Sequence, residues 1–301
     1  MTTSPSRTPS PRLSAERSQQ DVLGLTVIYF FIELSGGLYF HSLALITDAS
    51  FMAINVVGQL LAIFAARLAE KLPSRDNTFG FERAKVLSGL FNGVLVGFLV
   101  FYVLIEAYRR ISHPEPLEAG KVLIIAILGL AVNAYGLFRF NRHANLSHIK
   151  GARLLVLNDT LGSVGVIVSS LIIYFAGWYF LDPLTGVLIS LLVGYPTYHL
   201  IKDSVHILME GNPSTITSEQ VEHFILKNFV HAKIVKDVHI WGLSSDSLIC
   251  VMRVRTSYLT KHRETVKTIK GLLTEQYGFS DIFVEEYEMD RGESTASERN
   301  C

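Results

Sequence analysis

The residues best placed to do chemistry in this chain are a few acids and amides set inside long apolar runs. Asp159 lies in LLVLNDTLGSVGVIVSS, one turn ahead of Gly162 and Ser163. A carboxylate in such a run costs about 2.5–3.5 kcal/mol on insertion scales, so it calls for a water-filled cavity, a partner or a cation. Asp48, Ser50 and Asn55 are the polar positions of another run. Asp48 and Asn55 are seven residues apart and share one helix face over two turns, with Phe51 between them. Oxygen donors of this kind, joined by Asn158, would make a site suited to manganese, magnesium or calcium better than to zinc. Glu33 stands in a third run just before Gly36 and Gly37; it must face a bundle interior or snorkel, while the paired glycines admit a close neighbouring helix.

The elements that carry these residues are membrane spans. Of the 301 residues 49% are hydrophobic and only 18% charged, too apolar for most soluble chains of this length. A bilayer core of about 30 Å needs about 20 apolar residues in a helix, and six such stretches precede residue 202: 22–40, 43–66, 86–108, 122–138, 154–174 and 183–201. Basic residues set the orientation, since Lys/Arg-rich short loops stay cytoplasmic. Arg7, Arg12 and Arg17 precede the first span, Arg67, Lys71, Arg75, Arg83 and Lys85 follow the second, and Arg139, Arg142, Lys150 and Arg153 follow the fourth. All fall on one side, which places both termini in the cytoplasm.

The N-terminal residues 1–21 read as a disordered tail, rich in Ser, Thr, Pro and Arg and lacking the apolar core of a cleavable signal. Residues 22–210 form the membrane domain. After Glu210 the run Gly211, Asn212, Pro213 breaks the apolar pattern, and residues 211–290 read as a small cytoplasmic α+β domain. Its order is αββαβ: a helix capped by Thr217 or Ser218 and running to Asn228, strands IVKDVHIWGL and SLICVMRVRT, a basic amphipathic helix over 261–276, and a strand DIFVEEYEM, giving a two-layer sandwich. Residues 291–301 form a second tail. So small a domain buries little core alone, which favours dimerisation.

Other polar residues have plainer readings. Asn92 and Asn133 suit hydrogen bonds between helices, and Glu106 with Arg110 is an i, i+4 pair. Pro196 is expected to kink or break the sixth span. Cys250 and Cys301 have neither disulfide nor thiolate-zinc spacing, and His143 and His148 make only a weak capture motif. Lys+Arg and Asp+Glu both number 27, so no charge excess points to nucleic acid. No nucleophile elbow, phosphate loop or HExxH pattern occurs, which argues against an enzyme. Any zinc or manganese would be cargo rather than a resident cofactor.

Five ordered blocks, HSLALITDASFM, FGFERAKVLSGLFNG, LNDTLGSVGVIVSSLIIYFAGWYFLDP, SVHILMEGNP and KDVHIWGL, make residues 22–288 resemble the cation diffusion facilitator (zinc transporter) family. The resemblance implies a six-helix transporter bundle with a ferredoxin-like cytoplasmic domain, working as a homodimer or heterodimer that exports zinc or a similar ion in exchange for protons. It also implies a tetrahedral site from two donors four residues apart on the second span and two on the fifth, a geometry zinc accepts readily. Carried onto this chain, those positions are Phe51 and Asn55, and Leu155 and Asp159. Phenylalanine and leucine are not ligands, and Asn55 offers a carbonyl oxygen without the charge. In the tail domain Lys236 and Arg253 stand where histidines are often found in the family, and His239 reads as a strand residue.

Two functions follow. The first is a subunit in zinc or divalent-cation efflux or sequestration whose zinc site is degraded, non-transporting and paired with an active homologue. The second is a proton-coupled antiporter with an altered, oxygen-rich site, its metal candidates being Asp159, Asn55 and Asp48.

Overall fold

The computed structural model describes residues 11–113, 116–141, 147–256 and 262–286. The apolar runs form six helices: α1 Pro11–Tyr39, α2 Leu43–Ala69, α3 Arg83–Ser112, α4 Ala119–Asn141, α5 Ser147–Ala176 and α6 Leu181–Leu208. Each contains a stretch long and apolar enough to cross a membrane. Large side chains such as Leu60, Phe64, Phe98, Phe101 and Leu188 are exposed along them. In water that would be a liability; in lipid it is the expected surface, because lipid tails are as apolar as the side chains they meet.

One local expectation differs. Helix α1 begins at Pro11, ten residues before the end of the expected tail; its fixed φ makes proline a favoured first helical residue. Helix α6 is not broken at Pro196, one of the two outcomes expected there. Proline removes one backbone donor, a loss that membrane helices tolerate through neighbouring groups. Residues 291–301 and His143 lie outside the described residues.

The chain divides into two compact units, Met1–Leu60 with Phe91–His199, and Leu61–Leu90 with Leu200–Cys301, a division that cuts through α2, α3 and α6. In the first unit, α1 packs on α4 and α4 on α5. Glycines set these approaches: Gly36 lies against Ile125 and Gly129 against the Tyr29 ring, where any larger residue would clash. An apolar cluster of Ala44, Leu45, Phe51, Val96, Val122, Ala126, Val166 and Ile189 fills the interior.

The second unit holds α7 (Ser218–Asn228), β1 (Ala232–Ser244), β2 (Ser247–Thr256), α8 (His262–Tyr277) and β3 (Asp281–Glu286). The order is αββαβ, and the sheet order is β1-β2-β3, with β1 antiparallel and β3 parallel to β2. Thr217 caps α7 in a reciprocal capping box with Gln220, which satisfies two otherwise orphaned donors. α7 packs on β1 and α8 on β3, closing a core that includes Val221, Ile225, Met252, Ile269 and Leu273.

Candidate functional site

Three helices of the first unit bring acids together. From α1, Glu33 is 1% exposed, and its Oε1 accepts a hydrogen bond of 3.0 Å from the Tyr29 hydroxyl one turn earlier. The Tyr29 ring fits because Gly129 on α4 has no side chain. Oε2 of Glu33 has no hydrogen-bond donor. The nearest acid to act on Glu33 is Asp48 on α2, itself buried and within electrostatic reach. Two ionised carboxyls are acceptors only, so a contact between them requires a shared proton or a cation.

Asp48 in turn lies against α5. A methyl group placed on Gly162 would come within 3.0 Å of Asp48 Oδ1. Asp159, three residues earlier on α5, is within electrostatic reach of both Asp48 and Glu33. Among the described residues, no basic side chain acts on any of the three acids. Beside them, Asn133 on α4 donates to Ser163 on α5 at 3.3 Å, the interhelical role read from the sequence.

The other sequence candidates are placed differently. Phe51 is buried in the apolar cluster of the bundle. Asn55 is half-buried and gives no hydrogen bond to Asp48 or Asp159. Ser50 commits its hydroxyl to the Ile46 carbonyl at 2.6 Å, and Asn158 is exposed. Leu155 lies in α5 one turn before Asp159. Among the described residues, no three His, Cys, Asp or Glu side chains converge in an arrangement that would hold a metal ion. The acids therefore stand at electrostatic range, short of coordination. The sequence left Glu33 facing the interior or snorkelling and gave it neither Tyr29 nor Asp48 as a neighbour. The spacing of Tyr29 and Glu33 by four residues was the available signal for their hydrogen bond.

A cavity of about 520 Å³ between α5 and α6, lined by Leu161, Gly165, Leu184 and Leu188 among others, reaches the same Gly162. Its walls are apolar apart from Ser169 and Thr185, and suit a lipid chain better than an ion.

In the tail domain, Arg253 pairs with Glu285 at 2.9 Å and Asp237 at 3.3 Å. Glu285 beside it holds the guanidinium above its usual range. His239 is exposed on β1 opposite Val251. Burial pushes the Cys250 thiol up to about 12, so it is a core side chain and not a ready thiolate.

Comparison with known proteins places these features in context. Residues 21–209 match the cation efflux transmembrane domain. The cation efflux system protein CzcD of an Alcaligenes species is 34% identical, covering 90% of this chain and 86% of that protein. A cadmium, cobalt and zinc/H(+)-K(+) antiporter of Bacillus velezensis is 36% identical over 79% of this chain and 77% of its own length. The zinc transporter ZitB of Escherichia coli is 30% identical over 84% and 82%.

Proposed function

Because the chain belongs to the cation efflux family and is a multi-pass membrane protein, we propose that it moves a divalent cation through oxygen donors, with Glu33, Asp48 and Asp159 in place of a tetrahedral zinc set. The observation that carries this reading is the approach of acids from three helices, Glu33 and Asp48 buried and Asp159 half-buried, with no basic partner among the described residues. A passive scaffold gains nothing from several buried carboxylates, each costly in lipid. Cargo and counter-ion account for them: a cation arriving between Asp48 and Asp159 draws α5 inward and satisfies oxygens that otherwise repel, and protons replace it when it leaves.

The oxygens are hard donors, which favours manganese, magnesium or calcium over zinc. The ion is cargo, and no resident cofactor is part of this reading. By this account the protein is a transporter and not a catalyst, lies in a bilayer with both termini cytoplasmic, as its basic loops favour, and works as a homodimer or with a homologous subunit. It has no nucleic-acid partner.

The partner role without transport keeps one observation in its favour. Phe51, at a position where the family resemblance calls for a donor, is packed among Val96, Val122, Val166 and Ile189. Flux measurements on purified protein in liposomes decide between the two. Transport predicts manganese or calcium uptake driven by a pH gradient and abolished by Asp159→Asn. A folded wild-type protein that moves no divalent ion, and is recovered with a homologue carrying four donors, would establish the partner role instead. Restoring donors by Phe51→His, Asn55→Asp and Leu155→His together is expected to add zinc binding, read as bound metal per protein.

A further inference from the structure

A third buried acid, Asp182, does not belong to the cluster around Asp48. It opens α6 and is 2% exposed, yet it faces the start of α2. Its Oδ1 accepts from the Ser42 hydroxyl at 2.5 Å and its Oδ2 from the Leu43 amide at 2.6 Å. The Ser42 hydroxyl also accepts from the Leu45 amide at 3.3 Å. A carboxylate on one helix thus caps another, meeting free amides and the positive end of that helix's dipole.

The same turn is held from a third side. Arg110, near the end of α3, donates to the His41 carbonyl at 2.6 Å while Glu106 fixes its guanidinium at 2.9 Å. His41 has a positive φ of 58°, the left-handed region that lets the chain turn sharply between α1 and α2. Three helix ends therefore meet in one hydrogen-bonded knot at the α1–α2 turn.

What lies below the knot indicates its use. One turn along from Leu43 is Thr47, and one turn along from Asp182 is Gly186; a methyl on Gly186 would stand 3.2 Å from Thr47 Oγ1. One turn further along the same face of α6 is Ser190. Thr47 and Ser190 are wholly buried, and neither hydroxyl has a hydrogen-bond partner. Buried hydroxyls without partners are uncommon and are the places where water enters. The residue after Thr47 is Asp48.

We propose that Asp182, Ser42 and Arg110 form a latch over a polar seam between α2 and α6, and that its opening admits water past Thr47 and Ser190 to Asp48. The inference rests on the reading of this chain as a transporter, and supplies one end of the path. An apolar seam would resist hydration, whereas the bonds of this knot exchange one for one with water. Opening needs only the ends of α2 and α6 to part.

Thiol labelling tests it without requiring transport. In the full chain carrying Cys301→Ser, with Cys250 left buried, a Thr47→Cys variant is exposed to a hydrophilic methanethiosulfonate in detergent. Labelling should be slow, and at least tenfold faster when Asp182→Asn or Ser42→Ala is added. Ala126→Cys, buried on α4, should stay protected in both backgrounds. An unchanged rate at position 47 overturns the latch, and so does an equal rise at position 126, which would mean general loosening. As a check that does not rely on weakening the fold, Ser42→Cys with Asp182→Cys is oxidised to a disulfide. The bond should suppress Thr47→Cys labelling below the wild-type rate and reductant should restore it; labelling that continues across a formed disulfide overturns the proposal. Faster labelling in protein that moves no ion leaves the latch standing and removes the transport reading. Intact flux with unchanged labelling does the reverse.

Discussion

The two compact units treat charge in opposite ways. In the tail domain the charged groups stay outside: Arg253 finds Glu285 and Asp237 in solvent, while Val221, Ile225, Met252, Ile269 and Leu273 fill the core without a polar atom that needs a partner, apart from their backbones. In the bundle Glu33, Asp48 and Asp182 are buried and large apolar side chains are exposed. The first arrangement is what stability alone selects. The second carries a cost that the capping of α2 offsets for Asp182, while Glu33 and Asp48 have no such structural return.

Core truncation should separate the units most strongly. Met252→Ala empties a fully buried site and should cost the tail domain about 2–5 kcal/mol, seen as loss of amide protection on β2 by hydrogen exchange in the full chain. Protection in α4 that fell equally would mean the units do not behave separately.

The acids should respond in the opposite sense. Asp48→Asn is expected to lower ion flux at least tenfold, about 1.4 kcal/mol in the barrier, while raising the thermal midpoint, since a neutral amide is cheaper to bury than a carboxylate. A variant that loses both flux and stability would make Asp48 a structural residue and erase the contrast.

Alkali offers a gentler probe of the tail domain. Below about pH 9 the Cys250 thiol is protonated whether the domain is folded or not, and contributes no pH dependence. Above that the unfolded thiol ionises while the folded one, held up to about 12, does not, so stability should decline across this window. A Cys250→Ala variant should lack that part of the decline in a denaturation series against pH. The smallest effect belongs to the surface: Arg253→Ala should leave the midpoint unmoved, because exposed pairs are screened by solvent. A large shift there would show the sheet face to be covered by something else.

How much of this was legible in the sequence follows from what each feature depends on. Span positions depend on runs of apolar residues, which any reading of hydropathy finds, and the αββαβ order depends on local periodicity and on a cap at Thr217. Pairings between helices depend on how each helix is rotated about its axis, and a run that is apolar on every side carries little trace of that rotation. Asp159 and Asp48 were visible as intramembrane acids, but the approach of Glu33 to Asp48 joins two helices by rotation alone. Ser42 and Asp182 are separated by 140 residues and meet only through the fold. Phe51 was recognised as a non-ligand; its place in the core became apparent only with its neighbours on α3, α4, α5 and α6.

Gly162 has a positional meaning as well as a steric one. With only hydrogen facing the Asp48 oxygens, α5 comes close to that carboxylate, while the next residue, Ser163, is tied to Asn133 on α4. Asp159 stands about sixty degrees around the same axis in ideal helix geometry, so the glycine governs how near the two acids come. A bulky side chain at 162 would push Asp48 aside and widen that gap.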